Sequence, residues 1–241
     1  MTRCVTAAIV FLSFCFLCSN NVWAQFSDYS ELNVFGAGSI YSKNNFQTDF
    51  PQSAVPIPGQ LKFDSHFRAG ARFGMYMRGH WGEEVFYSYE PNTMTIISGA
   101  PAASRKDFSI GINNYGVNAL YYFAEVETHS FLPFVSAGIG GTFYRVRPTS
   151  LAFARNPAGG NFPDMNNANE LAFNFGAGFK THTKGWFGIR ADVRDFIGRT
   201  PSFGIPRSSN NPAAIVLPAF GTTNNFEGSF GFVFYFGRQL R

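Results

Sequence analysis

Arg190, Asp192 and Arg194 alternate along the segment WFGIRADVRDF (residues 186–196), with Phe187, Ile189, Ala191 and Val193 between them. A period of two puts the charged set and the apolar set on opposite faces of a β-strand. Unpaired charge is costly in hydrocarbon, so the Arg-Asp-Arg face must look into a space where acids can meet it. Other segments supply Arg68, Arg72, Glu84, Glu90, Lys180 and Glu227 on equivalent positions. The set is then five basic residues (Arg68, Arg72, Lys180, Arg190, Arg194) against four acidic ones (Glu84, Glu90, Asp192, Glu227). Near-balance favours mutual pairing over a strongly anion-attracting channel. The chemistry expected of these residues is an ionic cluster, not turnover.

Groups suited to catalysis are sparse. The histidines are His66, His80, His129 and His182. His129-Ser130, near Glu125 and Glu127, offers a base beside a nucleophile, as a lipid-modifying hydrolase would need. Sequence neighbours rarely form a working pair, and the base needs a third group to orient it. No HExxH and no metal-ligand cluster occurs. The strings GAGSIY (36–41) and GIGG (138–141) lack the glycine spacing of a phosphate loop and open no helix. The expectation is no catalytic residue, no metal and no cofactor.

The elements that must position the charges are strands. From Phe226 to Phe236 every second residue is Phe or Gly, and Glu227, Ser229, Gly231, Val233 and Tyr235 lie opposite. Phe67, Ala69, Ala71, Phe73, Met75 and Met77 share one face of a strand whose other face holds Arg68 and Arg72. Eight such segments are expected: 29–41, 66–77, 83–90, 108–124, 131–144, 171–180, 186–196 and 226–236. Connections at 78–82, 125–130 and 181–185 are short. Those at 42–65, 91–107, 145–170 and 197–225 are long and rich in Pro, Asn, Ser and Gly, which favours loop. Short turns at one end and long loops at the other describe an even-stranded barrel in a membrane. The fold class is therefore all-β: an eight-stranded antiparallel up-and-down transmembrane barrel with long external loops and short periplasmic turns. Trp81, Trp186, Tyr87 and Tyr121 are expected at the headgroup interface on the short-turn side. Mid-strand Phe residues are expected to face acyl chains. The apolar run within 212–220 is expected to fold back over the barrel mouth or to contact a partner.

Composition sets the compartment. An n-region with Arg3, an apolar stretch from Ala7 to Cys18 and a small residue at Ala24 read as a secretory signal peptide over 1–24. A single domain over 25–241 is expected to follow. Cys4, Cys15 and Cys18 all fall in the signal, so no disulfide stabilises the rest. The formal net charge of +4 arises from scattered basic residues, which gives no nucleic-acid-binding patch. No window after the signal is apolar enough for a membrane helix. Transmembrane strands of ~10 residues leave no such trace.

The motifs GARFGMYM (70–77), WGEEVFYSY (81–89), FVSAGIGG (134–141), FNFGAGFK (173–180) and WFGIRADVRDF resemble those of small outer-membrane β-barrel proteins of Gram-negative bacteria. The chain is similar there to the N-terminal barrel of OmpA-like porins. The resemblance implies location in the cell outer membrane, contact with its lipid, and insertion by the assembly machinery that recognises a terminal aromatic, here Phe236. The peptidoglycan-gripping domain of larger relatives is not expected, because the sequence ends at Arg241. A monomer is expected, and the long loops are where a surface partner would bind. The function expected is non-enzymatic, structural or surface-interacting at the cell envelope. A narrow porin for small solutes and a barrel hydrolase centred on His129 are the alternatives. A soluble ligand carrier would instead place the large apolar residues inside.

Overall fold

Alternation along the sequence becomes a closed wall of strands. The computed structural model describes residues 26–48, 57–77, 79–98, 104–126, 128–181, 186–209 and 216–237. The expected signal peptide, its cysteines, Glu127 and His182 lie outside the described residues. In chain order the elements are β1 (Phe26–Tyr41), β2 (Asn44–Thr48), β3 (Ile57–Phe63), β4 (Phe67–Met77), β5 (Trp81–Ser98) and β6 (Ser104–Tyr122). There follow β7 (Phe131–Val146), helix α1 (Pro148–Arg155), β8 (Ala168–Thr181), β9 (Phe187–Arg199) and β10 (Thr222–Gly237). β1, β4, β5, β6, β7, β8, β9 and β10 pair in that order, each antiparallel to the next. β10 returns to β1 from Tyr29↔Gly237 to Tyr41↔Asn225 and closes the ring. A closed ring leaves no membrane-level strand edge unpaired.

Two of the connections expected to be loops contain strands. The segment 42–65 contains the β2–β3 hairpin. The segment 91–107 is mostly hairpin, because β5 and β6 stay paired as far as Ser98↔Ser104. β3 joins the extended β5 from Phe63↔Met94 to Gly59↔Ser98, so a four-stranded sheet rises above the barrel rim. Within 145–170, β7 runs on to Val146, α1 follows, and β8 starts at Ala168. Polar side chains tie these segments down. Arg155 donates to the Met165 carbonyl, Lys106 to that of Gly160, and Arg207 to those of Ala219 and Thr200.

The wall separates two environments. One large apolar side chain per strand marks the outward belt: Val34, Phe73, Val85, Val117, Ile139, Phe173, Val193 and Phe232, all exposed. The opposite parity is buried and carries the charges. An exposed apolar band of this extent is far larger than the scattered apolar side chains of a soluble surface. It removes the soluble-carrier arrangement, in which the apolar face would be inside. Trp81 packs on Tyr121 (5.1 Å) and Trp186 on Phe234 (5.8 Å) at the short-turn end. Tyr87 departs from the expectation. It lies six residues up β5 from Trp81, opposite Tyr115, toward the loop end. The Phe residues divide as well: Phe35, Phe86, Phe134 and Phe196 point inward and are buried.

Candidate functional site

The lumen is filled in three layers. At the loop end, Phe63, Met94, Ile96, Phe108, Ile110, Tyr144, Phe162, Met165, Phe203 and Leu217 belong to one buried apolar cluster. At the short-turn end, Tyr76, Leu120, Tyr122, Leu132, Phe134, Val233 and Tyr235 form a second. Between them stands the ionic layer.

β4 and β9 supply the arginines, and neighbouring strands bring the acids. Arg68 binds Glu90 Oε2 (2.7 Å) and Glu227 Oε2 (2.7 Å) and donates to Tyr41 OH (2.8 Å). Arg72 bridges Asp192 (3.0 Å), Glu227 (3.1 Å) and Ser229 Oγ (3.0 Å). Arg190 reaches Glu84 Oε2 (2.8 Å) and Asp192 Oδ2 (2.8 Å). Arg194 reaches Glu84 Oε1 (2.6 Å) and Asp192 Oδ1 (3.0 Å). Lys180 meets Glu31 at 2.9 Å and donates to Tyr122 OH at 2.6 Å. The structure thus brings together all nine residues singled out in the sequence: Arg68, Arg72, Glu84, Glu90, Lys180, Arg190, Asp192, Arg194 and Glu227. Asp192 alone receives three guanidinium groups, which no single pair could provide.

Glu31 is the member that the sequence reading omitted. It is buried, and besides Lys180 it accepts from Tyr76 OH. With it the layer holds as many carboxylates as cations. Its parity on β1, opposite Leu32 and Val34, is the signal that identifies it. Gly74 is the space that admits it, since a Cβ there would stand 2.9 Å from Glu31 Cγ. Gly176 does the same for Arg194, whose Cγ would lie 2.7 Å from an added Cβ.

The inward aromatics belong to the same device. Phe35 lies under Arg72 (3.7 Å to the ring centre), Phe134 under Arg190 (4.5 Å) and Phe86 beneath Arg194 (5.9 Å). Ring faces attract the cations and cover them from water. Arg190 Nη2, Arg194 Nη1, Asn118 Oδ1, Ser136 Oγ and Asn174 Oδ1 keep hydrogen-bonding capacity that other protein groups leave unused.

The candidate catalytic pair is not assembled. His129 lies exposed in the β6–β7 turn, its Nδ1 2.7 Å from Thr128 Oγ1 and its N–H bonded to the Glu125 carbonyl. Among the described residues no hydrogen bond joins it to Ser130. His80 stacks on Tyr121, and its Nδ1 lies 2.7 Å from the Tyr122 carbonyl oxygen. No group of His, Asp and Glu among the described residues is arranged to hold a metal ion.

Solved barrels share this architecture. Outer membrane protein OprG of Pseudomonas aeruginosa matches with a TM-score of 0.53 at 14% identity, over 89% of this chain and 98% of that one. The fold is that of the small outer-membrane β-barrels. Neisserial surface protein A matches with a TM-score of 0.53 at 12% identity, over 88% of this chain and 99% of its own. Outer membrane protein AlkL, determined in DMPC lipid bilayers, reaches 0.50 at 12% identity over 88% and 92%. No protein-family model and no curated protein matches the chain. As in a small outer-membrane barrel, the apolar belt faces outward and the charges inward.

The mouth cluster takes Phe203, Ile205, Leu217 and Ala219 from the 200–221 segment, of which 210–215 lie outside the described residues. Phe203 is driven into it, 5.8 Å from Tyr144 and 6.4 Å from Phe63 between ring centres. It adopts φ 54°, a left-handed conformation unfavourable for an aromatic residue, with Gly204 following at φ 78°. Burial of the ring offsets that strain. Phe203→Ala is expected to cost about 3 kcal/mol of local stability. Limited proteolysis should then cut within 200–221, while the barrel strands stay protected. Protease resistance equal to that of the unaltered chain would show that Phe203 does not anchor the mouth.

Proposed function

We propose that the chain is a non-enzymatic barrel of the bacterial outer membrane with a structural or surface-interaction role. The observation that carries this reading is the filled lumen, in which two apolar layers enclose a charge-balanced ionic layer. A porin needs a continuous polar path, and an eight-stranded ring is only just wide enough for its own side chains. The sheet of β2, β3, β5 and β6 above the rim supports the surface-interaction half of the reading. Its outer side is polar, with Gln60 bonded to Asn45 (2.7 Å), Thr95 to Asp107 (2.7 Å) and Lys62 paired with Asp64 (3.0 Å). The exposed setting of His129, with no orienting acid in a cleft, favours a non-enzymatic role over a hydrolase.

Planar-bilayer recording tests the reading. The purified protein is expected to give no steady conductance. Arg190→Ala with Arg194→Ala widens the ionic layer alone, and truncation of 200–221 opens the mouth alone. Each is expected to leave the current near baseline, because another layer remains. A large, stable conductance from the unaltered protein would overturn the structural role in favour of a porin.

A further inference from the structure

Most of the described Lys and Arg side chains have a partner. The lumen cations are paired, Lys62 and Arg105 hold exposed aspartates, and Lys106, Arg155 and Arg207 bind backbone carbonyls. Lys43, Arg145, Arg147 and Arg199 have no hydrogen bond or ion pair from the side chain; of these four exposed residues only Arg145 and Arg147 lie two residues apart. They occupy alternate positions on the outward side of β7. Arg145 stands opposite Gly111, and the Arg147 N–H extends the ladder by donating to the Ser109 carbonyl. Two guanidinium groups are thus displayed side by side, with backbones ~7 Å apart.

Their height is set by what lies below. The outward residues of β7 from Phe131 to Phe143 include no polar side chain, and the Tyr115 ring covers the outward Gly141. On a tilted strand that stretch rises roughly 30 Å, the thickness of a bilayer's hydrocarbon core. Polarity begins on the next strand at the same level, where Asn169 pairs with Phe143 and accepts from Tyr115 OH (3.0 Å). The nearest outward acid on β6, Asp107, is occupied by Thr95 (2.7 Å) and Arg105 (3.1 Å). Arg145 and Arg147 therefore begin where the apolar belt stops.

We propose that Arg145 and Arg147 bind the phosphate of a phosphorylated lipid headgroup in the loop-side leaflet. The proposal rests on the membrane reading above. The planar fork of each guanidinium matches phosphate oxygens, and two forks on one face can share a phosphomonoester dianion. A lipid is favoured over a soluble ion because the arginines form no pocket. They crown an apolar wall, so acyl chains packed below would hold the headgroup at their height. Exposed charges alone would bind a free ion weakly in salt.

The test is lipid selectivity of the inserted protein. Spin-labelled phosphatidic acid and phosphatidylcholine are compared in phosphatidylcholine vesicles, reading the motionally restricted fraction. The unaltered protein is expected to prefer phosphatidic acid about tenfold at low salt. R145Q/R147Q should bring the preference to about twofold or less, while R145K/R147K keeps part of it and K43Q keeps all. A preference undiminished in R145Q/R147Q would overturn the proposal. So would a preference erased by millimolar inorganic phosphate but not by sodium chloride of equal ionic strength, which would make a soluble anion the ligand. Restricted lipid with no headgroup preference would leave the membrane reading standing and sink this one. If no lipid is restricted at all, the protein has not inserted and both fall.

Discussion

Replacing Glu84 with alanine is expected to destabilise the barrel by roughly 3–5 kcal/mol, the cost of stranding buried partners of a removed charge. Glu84 takes one bond from each of Arg190 and Arg194 and another from Asn118 Nδ2 at 2.8 Å. Without it the balanced layer carries an excess positive charge, and Arg194 keeps Asp192 as its one ion-pair partner. Both arginines are essentially sealed from solvent, at 1% exposure. Glu84→Gln keeps an acceptor but not the charge, and should fall between. Arg105→Ala is the fitting control, because its pair with Asp107 is 62% and 46% exposed. Exposed pairs contribute about 0–1 kcal/mol. Arg207 would serve poorly, since it holds two loop carbonyls. Urea midpoints in one detergent decide the matter. Equal losses for Glu84→Ala and Arg105→Ala would mean that the layer contributes nothing special at that position.

Phe232→Arg should cost roughly 2–4 kcal/mol of folding free energy in lipid vesicles if residue 232 is near the bilayer midplane. Phe232 is 49% exposed and sits mid-belt between Val34 and Ile189, against Phe187 at 5.5 Å. The same substitution at Phe236, four residues toward the short-turn end, should cost only about 0–1 kcal/mol. That gradient is the signature of a bilayer, because a protein core would not grade the penalty by depth. Equal penalties at 232 and 236 would remove the belt. Val233 is no neutral comparator. It is fully buried in the short-turn cluster, so Val233→Thr would bury a hydroxyl among apolar groups.

The barrel was legible because membrane and lumen differ so sharply that alternate residues differ too. Arg190, Asp192 and Arg194 declared their face without any knowledge of their partners. The rim was harder to read. Pro91 and Asn92 resemble a turn, yet β5 continues through them. On that edge β4 ends at Ala69↔Tyr89 and β3 begins at Phe63↔Met94, so Pro91 falls in a gap where a missing N–H is tolerated. Asn92 fills the gap by bonding both the N–H and the carbonyl of Asp64. The mouth cluster was equally hidden. Phe162, Met165, Phe203 and Leu217 follow no period, because irregular chain buries side chains by its path rather than by a repeat. Glu31 escaped because it is the one charge on the inward parity of β1, where Asn33, Phe35 and Ala37 repeat no ionic pattern.

The distances along the chain between partners have a consequence for the state that precedes closure. Arg68 meets Glu227 across 159 residues, and Lys180 meets Glu31 across 149. These charges can find one another only when first and last strands join, so before closure each must be hydrated. While hydrated, the inward charges interrupt the apolar residues, at a spacing of four along β4 and of two along β9. The described strands therefore present no unbroken apolar run of the length that a membrane-spanning helix needs. The residues that lock the finished barrel are thus also what keeps the unclosed strands compatible with water.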